Sequence, residues 1–112
     1  RFMDKIKNST RLMTFVGFAA KTRQLISGAQ GCESAIKRKE ALVVLLSAEV
    51  SQNTREHYAE LALFRGIPVY QLDDDRLGAA IGKPERKAVC ITGKQFADAI
   101  INEINLNLGV KE

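Results

Sequence analysis

The run Ala41-Leu42-Val43-Val44-Leu45-Leu46 is the strongest constraint in the chain: six apolar residues in succession, with polar or charged residues on both sides. A strand with one wet face alternates apolar and polar residues. A run with no polar position suits a strand buried on both faces, in a sheet with helices on either side.

The flanking segments supply such helices. Leu12, Phe15, Val16 and Ala19 recur at three- and four-residue spacing and predict a helix through Ala20. Ser9 or Thr10 caps it, behind a frayed basic tail. Ala29 to Lys39 also reads as helical, with Ala29, Cys32, Ala35 and Ile36 inward and Gln30, Ser34, Lys37 and Arg38 on the opposite face. Ser51 to Arg65 is a third helix with Tyr58, Leu61, Ala62 and Leu63 inward; Gly66 stops it and Pro68 follows. Asp73 to Asp75 caps a short helix through Leu77, Ala80 and Ile81, closed by Gly82. Phe96, Ile100, Ile101 and Ile104 mark a terminal helix ending near Asn107 to Gly109. Three further strands are expected at Gln24-Leu25-Ile26, Val69-Tyr70-Gln71-Leu72 and Ala88 to Thr92. Strands alternating with helices predict an α/β sandwich around a central sheet.

With 112 residues the chain fits one domain, 1–112, with 1–8 and 108–112 frayed. No repeat, low-complexity tract or linker interrupts it. Apolar residues at 46% and charged ones at 27% exclude wholesale disorder. No apolar stretch approaches the ~20 residues needed to span a bilayer, and no secretory signal is visible, so a cytoplasmic location is expected.

Enzyme signatures are absent. His57 lies in a charged helical stretch beside Arg55 and Glu56, without a nucleophile motif, and reads as a solvated surface residue. Cys32 and Cys90 are too few for a zinc cage or a disulfide scaffold and occupy core positions. Asp73-Asp74-Asp75 suits helix capping better than magnesium. Gly28-x-x-Gly31 is no phosphate loop. No catalytic residue, metal, cofactor or small-molecule substrate is expected. Most of the aromatic residues take inward positions, which disfavours base stacking.

Charge points elsewhere. Residues 1–40 hold nine basic side chains against Asp4, Glu33 and Glu40, a net +6 within a total of +4. That asymmetry favours a polyanion, although it also serves solubility. The basic third leads into Ser27-Gly28-Ala29-Gln30-Gly31, a strand-to-helix turn. A helix N-terminus offers unpaired N–H groups to phosphate, and glycines let a nucleic-acid backbone approach. Gln30 can reach a base edge, and Ser34, Lys37 and Arg38 continue the face. A tight turn alone also explains Gly28.

Beyond these residues the sequence resembles a family. Phe15 to Ala20, Leu25-Ile26-Ser27-Gly28, Ala35-Ile36, Leu42-Val43-Val44, Ser51 to Thr54, Ile67-Pro68-Val69, Leu77 to Lys83 and Glu85 to Val89 carry the likeness. They resemble the L-seven-Ae family of kink-turn RNA-binding ribosomal proteins, nearest its bacterial YlxQ-type members. Leu77-Gly78-Ala79-Ala80-Ile81-Gly82-Lys83 is the most specific part. The resemblance implies a three-layer α/β/α sandwich with a four-stranded mixed central sheet. It also implies RNA recognition without catalysis.

In register with the family's Gly-x-Asn-Glu-x-x-Lys motif stand Gly28, Gln30, Gly31 and Ser34, so the amide is kept while the carboxylate and the ammonium are replaced. Lys37 is the candidate substitute for the charge. The family's second contact loop reads Ser47-Ala48-Glu49, with Ala48 where an acid is usual, and its third is Glu85-Arg86-Lys87-Ala88-Val89. The implied RNA-contacting set is Gly28, Ala29, Gln30, Gly31, Ser34, Lys37, Arg38, Glu49, Arg86, Lys87, Ala88 and Val89. The implied partner is a structured RNA, kink-turn or ribosomal, with the ribosome as the assembly. The replacements at Gly31, Ser34 and Ala48 support a second reading: a protein-interaction module on the same scaffold.

Overall fold

In the computed structural model, which describes residues 5–107, Val43–Leu46 is the innermost strand, and all four of its residues are fully buried. In chain order the elements are β1 (Lys5–Ile6), α1 (Thr10–Lys21), β2 (Leu25–Ser27), α2 (Ala29–Lys37) and β3 (Val43–Leu46). They continue with α3 (Gln52–Leu63), β4 (Val69–Leu72), α4 (Arg76–Ala80), β5 (Ala88–Ile91) and α5 (Lys94–Asn107). The sheet order is β1-β4-β3-β5-β2. β1, β4 and β3 run parallel, whereas β5 is antiparallel to both β3 and β2.

Side-chain alternation along β3 splits the core in two. Val43 and Leu45 face Leu12, Val16 and Ala19 of α1, Leu77 of α4, and Ile100 and Ile104 of α5. Val44 and Leu46 face Cys32, Ala35 and Ile36 of α2, with Tyr58 and Ala62 of α3. The expectation of a strand buried on both faces therefore holds, and helices do flank the sheet.

The sheet has five strands, which corrects the expected four. Lys5 and Ile6, placed above in a frayed tail, pair in parallel with Gln71 and Leu72. Two residues are too few to give a periodic signal. Asn8 holds them: its backbone N–H donates to Asp73 Oδ1 at 3.0 Å and its amide to Asp74 Oδ1 at 2.8 Å. Residues 5–8 are thus ordered into the fold, while 1–4 and 108–112 lie outside the described residues. Of the two cap candidates Ser9 is the one, its Oγ accepting from Leu12 N at 3.0 Å.

Three local expectations also change. Asp74, rather than the cap residue Asp75, accepts from the Arg76 N–H at the start of α4. Ala29 is exposed, because the inward line of α2 begins only at Cys32. Leu63 and Phe64 are 78% and 88% exposed. The Tyr58–Ala62 line fixes which side of α3 faces the sheet, and Leu63 is turned about 100° from Ala62. Among the described residues no helix is long and apolar enough to cross a membrane.

Candidate functional site

Three connections meet at the end of the sheet where β2, β3 and β4 finish. The first is the turn from β2 into α2. Ser27 pairs with Val89 in β5, and the Gly28 N–H donates to Ala88 O at 3.1 Å. Gly28 then adopts φ 91°, ψ 159°, a conformation L side chains rarely enter, and contributes no capping side chain to α2. The first N–H groups of that nine-residue helix therefore carry positive dipole without a capping acceptor from Gly28.

The second connection precedes β5. Arg86 lays its guanidinium where a Gly28 Cβ would be, and its Nη1 donates to Ser27 O at 2.9 Å. Arg86 Nε also lies 3.4 Å from Glu85 Oε2. The Glu85 carboxyl sits below its ordinary value, through its own backbone N–H first and Arg86 after it. Lys87 is exposed, with no ion-pair partner among the described residues.

The third connection leads from β3 into α3. Ser47 N donates to Lys87 O at 2.8 Å and ties this loop to the second one. Ser47 Oγ accepts from Glu49 N at 3.2 Å, and Ser51 Oγ caps α3 by accepting from Thr54 N at 3.1 Å.

Between the three lies an open groove of about 550 Å³ lined by Gly28, Ala29, Glu49, Val50, Ser51, Thr54, Tyr58 and Glu85 to Ala88. Tyr58 is buried and aims its hydroxyl at Ala29 O, 3.5 Å away. Burial pushes its pKa well up, so the phenol stays neutral. The groove thus combines two helix N-termini, two cations, two carboxylates and a phenol. Among the described residues no cluster of His, Cys, Asp or Glu is fit to hold a metal.

Of the residues singled out from the sequence, the fold brings together Gly28, Ala29, Glu49, Arg86, Lys87 and Ala88. Gln30 and Ser34 are exposed on α2 beyond the groove lining. Gly31 faces β2, where an added Cβ would come within 2.8 Å of Ile26 Cγ2. Lys37 and Arg38 lie at the far end of α2, roughly 12 Å from Ala29 at 1.5 Å per residue. Lys37 Nζ is also 3.9 Å from Glu33 Oε1. Val89 is fully buried against the α1 layer, so only its backbone is near the groove.

Sequence reasoning missed Val50, Ser51, Thr54, Tyr58 and Glu85 as lining residues. Ser51 and Thr54 carry a cap signal three residues apart; for Tyr58 only an inward helical position was visible. His57, read as solvated, bonds Glu33 of α2 through Nε2 and joins the two helices. That bond, helped by the His57 and Lys37 charges and opposed by burial, holds the Glu33 carboxyl below its ordinary value. Cys32 and Cys90 are both buried, as expected, and lie side by side: Cys90 Sγ is 3.8 Å from Cys32 O.

Comparison with known proteins gives a consistent picture. The family described as "Ribosomal protein L7Ae/L30e/S12e/Gadd45 family" matches residues 10–102. The RNA-binding protein YlxQ of Bacillus subtilis is 28% identical over 88 residues, 78% of this chain and 88% of that protein. YlxQ of Enterococcus faecium is 26% identical over 91 residues, 80% of this chain and 87% of its own. Among solved structures, a Bacillus halodurans protein of unknown function superposes with a TM-score of 0.81 at 26% identity, covering 87% of this chain and 99% of the other. The Giardia lamblia 15.5kD RNA binding protein does so with a TM-score of 0.71 at 16% identity, covering 88% and 92%, a likeness of fold alone.

Proposed function

Because the chain belongs to the ribosomal protein L7Ae/L30e/S12e/Gadd45 family, we propose that residues 1–112 act as one cytoplasmic, non-catalytic domain that binds structured RNA in this groove. The observation that carries the reading is the convergence of the α2 and α3 N-termini with Arg86 and Lys87 around one open groove. Phosphates suit such helix ends and cations, and a neutral Tyr58 with backbone groups offers the hydrogen bonds that discriminate among RNA shapes. The relatives carrying the name YlxQ are RNA-binding proteins, which agrees with this.

The RNA favoured by the family pattern is a kink-turn, ribosomal or otherwise, with Gly28 to Gly31 and Arg86 to Ala88 at its backbone. Gln30 is assigned to a base edge or ribose hydroxyl, and Ser34 and Lys37 to flanking phosphate. Titration of the chain with a kink-turn RNA and with a plain hairpin of equal length tests this. Preference for the kink-turn is expected, and the Arg86→Ala/Lys87→Ala variant should bind more weakly with a shallower salt dependence, by about 1.4–1.8 in the log–log slope. Equal affinity for both RNAs would refute the kink-turn reading.

One observation favours the second reading, a protein-interaction module. Gly31 and Ser34 lack the family's charges, and Lys37, the proposed substitute, faces Glu33. Under that reading, partners copurify after nuclease treatment and no RNA absorbance accompanies the chain.

A further inference from the structure

The opposite end of the sheet carries an aromatic and basic surface that the groove does not use. β3 and β4 are adjacent and parallel, with Val44 level with Val69, so the turns entering them leave α2 and α3 at the same end. The first turn presents Arg38 and Lys39, and the second Phe64 and Arg65. α2 and α3 pack side by side through the Tyr58–Ala29 and His57–Glu33 contacts, so their C-terminal turns share that end.

Phe64 is 88% exposed, an unfavourable place for a large apolar ring. It is also held in place. Its N–H donates to Glu60 O at 3.2 Å, and the chain reverses at Gly66, φ 71°. Arg65 folds back, Nη1 donating to Leu61 O at 3.0 Å, and lays its guanidinium carbon 5.9 Å from the ring centroid. A preset cation–aromatic pair in water is the arrangement on which an unpaired base stacks.

The neighbouring cations are uncommitted. Arg38 and Lys39 are exposed and form no ion pair among the described residues, although exposed Glu40 and Glu60 stand nearby in the chain. Lys39 holds φ 60°, a conformation where glycine is the usual occupant, so the turn presents a cation at some backbone cost. The cationic track extends to a third turn. Leu25 and Val43 both pair with Ile91, about 10 Å apart across β5, and the turn entering β2 holds another cation at positive φ, Arg23 (φ 61°), two residues before Leu25.

We propose that Phe64, Arg65, Arg38 and Lys39 form a second RNA-contacting surface, which takes a single-stranded segment by stacking one base on Phe64 and pairing its phosphates with the flanking cations. That the occupant is RNA rests on the RNA-binding reading of the groove. The chain then holds a folded RNA at one end and an unpaired segment at the other.

The test uses the full chain and three probes: a labelled uridine-rich single strand of about 12 nucleotides, and a kink-turn RNA with and without that strand as a tail. The tail is expected to tighten binding. Phe64→Ala should abolish the gain, a loss of roughly 5- to 150-fold, the range one base–aromatic stack spans. Phe64→Trp should keep it, with indole fluorescence quenched by the strand. Arg38→Ala/Lys39→Ala should lower the single-strand salt slope by about 1.4. Circular dichroism of each variant verifies folding, which an exposed ring should not govern. Untailed kink-turn affinity should stay unchanged in Phe64→Ala. If the chain ignores kink-turns but binds the single strand through Phe64, the groove reading fails and this one stands. Equal binding of Phe64→Ala and the parent chain to the single strand overturns the proposal. So does Phe64-dependent binding to phosphatidylserine vesicles without single-strand binding.

Discussion

Gly28→Ala tests whether the groove is built around Arg86. Gly28 lies at φ 91°, ψ 159°, an essentially glycine-only region that costs another residue about 1–3 kcal/mol. The new Cβ would also occupy the guanidinium's place, so Arg86 must swing out and release Ser27 O, a bond of 2.9 Å. The Arg86 side chain is 35% exposed, so the lower range for a charged hydrogen bond applies, about 1–1.5 kcal/mol. Alanine recovers about 0.4–1 kcal/mol by restricting the unfolded chain. The net loss is about 2–3 kcal/mol, or about 8–12 °C in Tm for a domain of this size.

Gly66→Ala is the control. Gly66 has φ 71° but no atom within 4 Å of its Cβ position, so only the conformational cost remains, about 1 kcal/mol after the same correction. Urea unfolding of both variants, of Arg86→Ala and of Gly28→Ala/Arg86→Ala gives the comparison. Once Gly28→Ala has expelled Arg86, removing that side chain should cost little more, so the double variant falls short of additivity by about 1 kcal/mol. Strict additivity, or Gly28→Ala no worse than Gly66→Ala, would refute the idea that the glycine exists to admit Arg86.

Other outcomes follow from the same geometry. Leu45→Ala, in the fully buried centre of β3, should cost about 2–5 kcal/mol in urea unfolding, and Leu46→Ala a similar amount from the other core. For Asp74, burial would raise the pKa, but hydrogen bonds from Asn8 and Arg76 outweigh it and leave the folded value lowered. Its stabilisation is therefore present above the unfolded value of about 3.9 and lost as pH falls through the folded one. Tm of the parent and of Asp74→Asn, measured down the acid limb, should converge at the lowest pH. The Cys90 thiol is pushed far up, by its hydrogen bond with Cys32 and then by burial, so thiol reagents should label neither cysteine until urea unfolds the chain. Ser34→Lys, which restores the family's ammonium on the exposed face of α2, should raise kink-turn affinity about tenfold, a charged hydrogen bond being worth about that much. Unchanged affinity in a titration would show that the register placing Ser34 at RNA is wrong.

What could be read in advance depended on how far a signal extends along the chain. β3 announced itself because six adjacent residues share one environment, and Gly28, Gly66 and Gly82 marked real reversals, each with positive φ. β1 left no trace because its partner, β4, lies 66 residues away and only two residues pair. The groove was half legible: Gly28 and Arg86 were each singled out, but not that one side chain fills the space the other vacates. Lys37 was placed at the site because helical spacing gives a face, not a distance along it. Phe64 was not singled out from the sequence, because as the cap of α3 it lies one residue beyond the periodic pattern. Cross-helix partners such as Glu33 and His57 are set by packing, which single-segment periodicity does not report.

The strand order also dictates a timetable. β3 can pair with β4 as soon as α3 closes over them, a connection of some twenty residues, but its other side waits for β5, made about forty residues later. β2, though synthesised earlier, has only β5 to join and must wait as well. During synthesis Val43–Leu46, the most apolar strand in the chain, therefore keeps one open edge until residue 91 emerges, a ready template for pairing with another nascent chain. Truncations ending just before Ala88 should aggregate, whereas chains reaching past Ile91 insert β5 between β3 and β2 and close the sheet in a single step.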